Sequence, residues 1–214
     1  MPGKSDANLK LDKVPDALEG LSHASELLKT MALFGIEEAP AILKDSNASP
    51  EQCMAQAHTS LDFFGFHGNK WRTKPWFSEG LERLWRRGGR VRFLVVDDLT
   101  EQQREEYAAL LRRWSKTFEV RLMPYPALFR LVFINNDRMV FGHYGADVLL
   151  EDGVNAAGWR SPHLIVHCGT TWSLGVPFRQ YFDEKWSVAR RLLPDGSIGG
   201  TAELGMLAQR REFR

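Results

Sequence analysis

The sequence predicts an α/β domain with a mostly parallel sheet, closed by an antiparallel hairpin and flanked by helices. Short apolar runs suited to buried strands alternate with segments whose apolar residues recur at helical spacing. The stretch Asn135-Asn136-Asp137-Arg138 joins two apolar runs and is typical of a hairpin turn, since Asn and Asp tolerate left-handed backbone angles. With 214 residues, 43% of them hydrophobic and 11% aromatic, the chain is long enough for one such domain.

The N-terminal part of the chain is predicted to be an addition to this domain. Residues 1–15 are polar and are expected to form a loose arm. From Asp16 leucines recur at helical spacing, and Gly35 can end the helix that they predict. A polar stretch from Lys44 separates this helix from the α/β domain. The predicted divisions are an N-terminal arm and helix, the α/β domain and a flexible C-terminal tail: 1–48, 49–193 and 194–214.

Within the domain, helix-start signals and period changes set the order of elements. Ser49 to Gln52 and Thr100 to Gln103 each form a capping box, and Pro50 occupies a first helical position. Gly88-Gly89 ends a segment of helical spacing. The expected strands are 61–66, 91–96, 118–123, 129–134, 139–141 and 163–168. Four helices are expected. Two begin at Pro50 and Thr100, and the other two span 75–87 and 176–193.

Composition limits the class of protein and its compartment. With 28 basic and 27 acidic residues the net charge is +1, which argues against coating nucleic acid through bulk charge but leaves local patches possible. Two cysteines, Cys53 and Cys168, are too few for a disulfide framework or a four-thiolate zinc site. With no signal peptide and no long apolar run, we expect a cytoplasmic protein without integral membrane association.

Two stretches carry a resemblance to a known family. Residues 80–98 read GLERLWRRGGRVRFLVVDD, a helix with a basic end followed by an aliphatic strand, and 176–192 read VPFRQYFDEKWSVARRL, an aromatic run before a Trp. With the order of the other elements, the segment from Ser49 to Leu193 resembles one half of a phospholipase D-like fold. The resemblance implies a mixed sheet flanked by helices, with the N-terminal helix as an extension.

The resemblance also implies that the family's catalytic motif is degenerate in this chain. Active members carry His-x-Lys-x4-Asp on the hairpin, where His attacks phosphorus and Lys holds the phosphate oxygens. Aligned on Asp137, Arg130 replaces the His and Val132 replaces the Lys. A guanidinium stays protonated and cannot be the nucleophile, and Val offers a phosphate no charge. The family's phosphodiesterase chemistry is therefore not expected, and Asp137 is interpreted as a turn residue.

Arg130 and the segment after the first strand of the domain are the leading candidates for ligand binding. Arg130 shares a strand face with Val132 and either binds phosphate or carboxylate bidentately or pairs with an acidic neighbour. The loop at the strand end combines donors with an aromatic face, and its alternative is a polar loop whose Trp caps the core. Its candidate ligand-binding residues are His67, Asn69, Lys70, Trp71 and Arg72.

The remaining histidines offer less. His143 is either a displaced acid–base group or a structural residue at a strand end. His163 and His167 share a strand face, with Cys168 opposite. They are four positions apart, which places the two imidazoles about 13 Å from each other along the strand. That spacing is too wide for one tetrahedral zinc ion. We therefore expect no metal and no cofactor.

Two charged groups have alternative interpretations. The arginines concentrated near one helix end either complement the helix dipole or form a nucleic-acid patch. They are Arg83, Arg86, Arg87, Arg90 and Arg92. Asp97 and Asp98 either orient a base or a metal, or precede the cap of the next helix.

The sequence thus leads to a ranked set of functions. The first is a catalytically degenerate phospholipase D-like protein that binds a phosphate-bearing ligand (nucleotide, nucleic acid or lipid headgroup) or regulates a partner. The alternative is a phosphodiesterase or nuclease that uses His67 or His143, and a scaffold with a vestigial cleft is the third. Single half-domains of the family usually pair, so we expect a homodimer or a partner protein. Trp71, Trp159 and Trp172 are the expected exposed contacts.

Overall fold

A computed structural model describes the α/β part of the chain. The described residues are 36–42, 49–125, 127, 129–143, 162–168 and 173–199. They form an eight-stranded sheet with helices packed on both faces, so the predicted mixed sheet flanked by helices is confirmed. The helix predicted from Asp16 to Gly35 lies outside the described residues, as do Trp159 and Trp172.

The helices and strands follow the predicted order, with three additions. In chain order they are β1 (Ile36–Ile42), α1 (Pro50–Gln56), β2 (Ser60–Gly65), α2 (Asn69–Arg72), α3 (Pro75–Arg86), β3 (Arg90–Val96), α4 (Glu101–Trp114), β4 (Phe118–Met123), β5 (Phe129–Ile134), β6 (Arg138–His143), β7 (Pro162–His167), α5 (Gly175–Val188) and β8 (Arg190–Arg191). The sequence pattern predicts none of β1, α2 and β8. Both capping boxes are present, with the Ser49 and Thr100 hydroxyls accepting from the backbone N–H groups of Gln52 and Gln103.

The prediction of a mostly parallel sheet is wrong. The strand order is β1-β7-β6-β5-β2-β3-β4-β8, and only β2–β3 and β3–β4 are parallel pairs. Parallel neighbours need a crossover, and α3 and α4 supply the two crossovers between these strands. After β4 only residues 124–128 lead to β5, so the chain turns back at the same edge of the sheet and β5 runs antiparallel to β2.

The sheet separates two hydrophobic cores. The larger core lies on the face covered by α1, α2, α3 and α4, and the smaller one lies beneath α5. Alternation along β5 divides its residues between them, because Val132 and Ile134 face the larger core and Leu131 and Phe133 face the smaller. Val132 therefore lies on the opposite strand face from Leu131 and Phe133, as the two-residue period of a strand predicts. Every residue of β2 is buried, since this strand lies between neighbours and under helices on both sides.

Candidate functional site

The candidate site lies at the edge of the sheet where the parallel strands end. β2 pairs with β5 through Phe64 and Leu131, so the residues after Phe64 and those before Leu131 meet at one edge. His67 follows the end of β2, and Arg130 precedes Leu131 on β5. The carboxyl ends of parallel strands are where open α/β sheets bind ligands.

His67 is held in a fixed orientation from two sides. Its imidazole Nε2 atom is in hydrogen-bond contact with Asp98 Oδ1, and its side chain is 12% exposed while that of Asp98 is 63% exposed. Its backbone carbonyl accepts hydrogen bonds from the Tyr107 hydroxyl at 2.8 Å and from Arg72 Nη1 at 2.6 Å. Asp98 meets both sequence-based interpretations, since it contacts an imidazole and also precedes the Thr100 cap of α4. A carboxylate-oriented imidazole is the arrangement that acid–base chemistry uses.

Asp97, the neighbour of Asp98, is directed elsewhere. It forms an ion pair with Arg190 and lies 4.0 Å from Arg104. The cap of α4 is Thr100, whose hydroxyl accepts from Gln103. Asp97 therefore ties α4 to the strand β8, and it does not share the His67 contact.

Arg72 and Asn69 belong to an internal brace. Arg72 is 9% exposed and donates from Nε to Glu106 Oε2 at 2.5 Å and from Nη1 to Asn69 Oδ1. Asn69 Oδ1 also accepts from Gln103 Nε2 at 3.4 Å. The contacts connect α2 to α4 and fix the backbone at His67, so these two side chains position the site rather than extend from it.

Trp71 is not the exposed stacking surface that the sequence predicts. The segment forms the single helical turn α2 instead of an open loop, and this turn directs the indole inward. Trp71 is 2% exposed, with its ring centroid 5.6 Å from those of Phe63 and Phe93 and 5.8 Å from that of Trp76. The alternative of a core-capping Trp is therefore observed, and Trp71 is unavailable as an exposed dimer contact. Lys70 is exposed on the outer side of the same turn.

Arg130 is half-buried, and its guanidinium lies beside His163 above a glycine. Gly142 pairs with Arg130 on one side and with His163 on the other, so the three residues form a row across β5, β6 and β7. A Cβ on Gly142 would lie 3.1 Å from Arg130 Nη2 and 2.7 Å from His163 Nε2. A side chain at position 142 would therefore displace the ends of these two side chains, and the row brings together Arg130 and His163, which the sequence pattern does not connect.

Cys53 lies close to this row but is not a reactive thiol. It is fully buried in α1, and burial raises its pKa to about 12 against the opposing charges of Arg130 and Arg138. Nucleophilic cysteines have lowered pKa values and partial exposure. Cys53 therefore belongs to the core.

The other candidates lie at separate positions. His143 is the last residue of β6 and pairs with Phe129. His163 is buried and His167 is exposed, on the shared strand face that the sequence predicts. Across the part of the chain that the structure describes, no group of three or more His, Cys, Asp or Glu residues is placed to hold a metal ion.

The turn between β5 and β6 is where the sequence predicts it, and Asn135 also holds it to the segment around His58 through side-chain bonds that the sequence does not reveal. Asn135 and Asn136 adopt positive φ values of 54° and 65°, as the central residues of a type I′ turn require, and the Asp137 N–H donates to Ile134 O at 3.2 Å. The Asn135 side-chain oxygen accepts from the backbone N–H groups of His58 at 2.9 Å and Thr59 at 3.1 Å, and its amide donates to Gln56 O at 3.0 Å. Asp137 lies in the turn, as interpreted from the sequence.

A buried ionic cluster on the opposite face is absent from the sequence-based candidates. Asp62 is fully buried in β2 and accepts two hydrogen bonds of 2.7 Å from Arg92 and another from Arg179 of α5. The Arg179 guanidinium lies 3.8 Å from the Phe133 ring centroid, and that of Arg92 lies 4.9 Å from that of Phe182. The signal that could have revealed it is a single carboxylate within the apolar run of β2, which requires a buried cation.

The predicted arginine concentration divides into separate sets. Arg92 belongs to the Asp62 cluster, and Arg83 Nη2 donates to Met54 O at 2.5 Å. Arg86, Arg87 and Arg90 are exposed. Arg83 and Arg86 lie in the last turn of α3, as the helix-dipole interpretation requires, and the exposed arginines Arg86, Arg87 and Arg90 fit the nucleic-acid interpretation.

Comparisons with known proteins add little. No family model matches the chain, and none of the curated proteins matches it. TrmBL2, an archaeal chromatin protein whose structure shows "a novel mode of DNA binding", is 15% identical, with 88% of this chain and 75% of that chain covered and a TM-score of 0.48. Nuc, a phospholipase D family member from Salmonella typhimurium, is 14% identical, with 68% and 94% covered and a TM-score of 0.43. Both TM-scores are below 0.5 and both identities are below 25%, so neither similarity indicates a function for this chain.

None of the helices in the described ranges combines the length and the apolar character that crossing a membrane requires.

Proposed function

We propose that residues 49–193 form a catalytically degenerate phospholipase D-like half-domain that binds a phosphate-bearing ligand at the edge holding Arg130 and His67. The ligand is a nucleotide, a nucleic acid or a lipid headgroup, and the protein acts as a binding or regulatory subunit. The order of elements from Pro50 to Val188 supports the family assignment. A homodimer, or a partner that completes the site, remains part of the proposal.

The position of Arg130 carries the proposal. Arg130 is a half-buried residue with a buried Nη2 atom, and it lies near the edge where β2 ends, in the row with Gly142 and His163. A guanidinium binds phosphate oxygens through two parallel hydrogen bonds but cannot attack phosphorus. Binding without phosphodiester cleavage is therefore the function that this residue supports.

The contacts around the site narrow the set of ligand-binding residues. Asn69 and Arg72 bond to protein groups and Trp71 is in the core, so we assign these three to supporting the site. His67 is oriented by Asp98 and Lys70 is exposed on the adjacent turn. The proposed direct contacts are Arg130, His67 and Lys70.

Calorimetric titration with inorganic phosphate tests the role of Arg130. We expect Arg130→Gln to weaken binding by about tenfold or more, because a hydrogen bond to a charged group contributes about 1.5–3 kcal/mol. Arg138→Gln is the matched control, since Arg138 lies at the other end of the hairpin and donates to Gln56 Oε1 at 2.6 Å. Equal affinities in both variants and the wild type would contradict the proposal.

The His67–Asp98 pair favours one alternative, a phosphodiesterase or nuclease that uses His67 as its acid–base group, with His143 as the other histidine candidate. The assay is hydrolysis of bis(p-nitrophenyl) phosphate by the wild type, His67→Ala and His143→Ala. Turnover that disappears in one histidine variant would establish the alternative. Phosphate binding without turnover in the wild type agrees with the degenerate half-domain. Absence of both would leave a scaffold role.

A further inference from the structure

The opposite edge of the sheet carries a second charged surface, far from Arg130. Helices α3 and α4 both end there, beside the starts of β3 and β4. Five exposed residues on this edge are cationic or aromatic, and we call them the basic end: Trp85, Arg87, Arg90, Arg113 and Lys116.

The basic end is one continuous surface. The rings of Trp85 and Trp114 lie 6.3 Å apart, which joins the last turn of α3 to that of α4. The Val91 N–H donates to Thr117 O at 2.6 Å, which brings Arg90 beside the segment that contains Lys116. These contacts bring the ends of α3 and α4 and the starts of β3 and β4 to the same edge of the sheet as the exposed Trp85 indole.

The cations of the basic end form no ion pair with a carboxylate in the part of the chain that the structure describes. Within the described ranges, no Asp or Glu forms an ion pair with Arg87, Arg90, Arg113 or Lys116. Their neighbours Arg86 and Arg112 do have such partners, Glu82 and Glu105, each at 2.5 Å. A chain whose net charge is only +1 therefore has a local excess of positive charge at this edge.

Helix dipoles account for part of this charge but not for the aromatic residue. Arginines in the last turns of α3 and α4 stabilise the negative helix ends. Trp85, however, is 51% exposed, whereas Trp114 beneath it is 7% exposed and covered by the Arg113 guanidinium at 4.8 Å from its ring centroid. The indole of Trp85 is thus held against the protein on one side and open to solvent on the other.

We propose that the basic end binds single-stranded nucleic acid, with the backbone phosphates on its cations and an unpaired base stacked on Trp85. Stacking on an aromatic ring combined with a positively charged path is how proteins bind single strands without sequence preference. A membrane surface fits less well, because it requires a larger apolar area than one Trp. An acidic protein would use the cations but would not need the open indole.

This surface is independent of the proposed phosphate site. The two lie at opposite ends of β3, whose length of seven residues corresponds to about 23 Å. A ligand bound through Arg130 would not require Trp85. The two proposals can therefore fail separately.

The experiment is fluorescence anisotropy of a labelled oligothymidylate with the full chain. We expect Trp85→Ala to weaken binding by about tenfold, the range measured for loss of one stacked base. Arg113→Gln should weaken binding and lower the slope of log K against log salt by about 0.7, as expected for one lost phosphate contact. Arg112→Gln is the matched control on the same helix, with an expected change below about twofold because Glu105 already neutralises it.

Specificity is measured against duplex DNA, polyglutamate and phosphatidylserine vesicles as competitors. Near-ultraviolet circular dichroism verifies that each variant is folded. We expect folding to be retained at Trp85, Arg112 and Arg113, because these side chains are exposed. The proposal is supported if the oligothymidylate binds more tightly than all three competitors and if Arg130→Gln retains that binding. It is overturned if Trp85→Ala binds as the wild type does, if any competitor binds equally well, or if binding is lost in Arg130→Gln alone.

Discussion

At the scale of single residues, Asp62 is a fully buried charge that two arginines hold in place. Burial alone would raise the pKa of its carboxyl, but the hydrogen bonds and charges of Arg92 and Arg179 outweigh burial and lower the pKa below its ordinary value. The same carboxylate connects β2 and β3 to α5, since Arg179 belongs to that helix. Asp62 therefore attaches α5 to the sheet.

Removing the charge of Asp62 is expected to destabilise the fold. Asp62→Asn leaves two arginines without their buried counter-charge, and we expect a loss of about 3–5 kcal/mol in the free energy of unfolding. Asp183→Asn is the matched control, because Asp183 bonds the same Arg92 at 3.1 Å but is half-exposed, and a loss of about 0–1 kcal/mol is expected. Urea denaturation measures both, and equal losses would contradict a special role for Asp62.

The pKa of Asp62 also determines how this difference depends on pH. A carboxyl whose folded pKa is lowered contributes stability above its unfolded pKa, and that stability is lost as the pH falls through the folded pKa. The difference between the wild type and Asp62→Asn should therefore decrease in acid. A difference that increases in acid would show that the sign is wrong.

At the scale of elements, the Asn135 side chain attaches the β5–β6 hairpin to the end of α1 and to the segment after it, and Arg138 adds a bond to Gln56. Asn135 supplies both the left-handed turn conformation and the bonds to Gln56, His58 and Thr59. Because the same hairpin carries Arg130, Asn135 also fixes the position of the candidate site. Its neighbour Asn136 has the conformation without these bonds.

Glycine substitutions separate the two roles of Asn135. Asn135→Gly permits the positive φ but removes the side-chain bonds, so we expect a loss of about 1–3 kcal/mol in the free energy of unfolding. Asn136→Gly changes only the conformational preference and should alter stability by less than about 0.5 kcal/mol. Chemical denaturation followed by far-ultraviolet circular dichroism is the measurement. Similar values for the two variants would assign no role to the Asn135 bonds.

Elements with strong local signals were predictable, and those set by distant partners were not. The capping boxes at Ser49 and Thr100 fixed the starts of α1 and α4. β1 reads IEEAPAI, without alternation and with Pro40 inside it, and it forms only because β7 pairs with it at an edge where proline is tolerated. The turn α2 is four residues long, too short for periodicity to reveal that Trp71 faces inward.

The same distinction applies to the candidate site. That His67 follows a strand end could be deduced from the sequence, because the apolar run of β2 stops there. Its contact with Asp98 could not, since the two residues are 31 positions apart and meet only when β2 and β3 pair in parallel. The row of Arg130, Gly142 and His163 likewise depends on the register of three antiparallel strands.

At the scale of the whole molecule, the two proposed anion-binding surfaces lie at opposite ends of the parallel strands. Their carboxyl ends lie near the half-buried residue Arg130 and the oriented imidazole of His67, which suit one phosphate group. Their amino ends lie beside exposed cations and an open indole, which suit an extended polyanion. The buried cores between them make both surfaces depend on the same folded sheet, so conditions that unfold the sheet should abolish both.

Alkaline pH is expected to be one such condition, because the buried Cys53 thiol lowers the stability of the folded state there. Burial raises the pKa of this thiol from its ordinary value of 9.0 to about 12, and burial also raises the pKa of the Tyr107 hydroxyl from 10.0. Below about pH 9 both states keep the thiol protonated, whereas between about pH 9 and 12 only the unfolded state ionises, so stability falls as the pH rises. One group contributes a slope of about 1.4 kcal/mol per pH unit. We therefore expect the urea midpoint of the wild type to fall above about pH 9 more steeply than that of Cys53→Ala, and parallel profiles would exclude Cys53 as the cause.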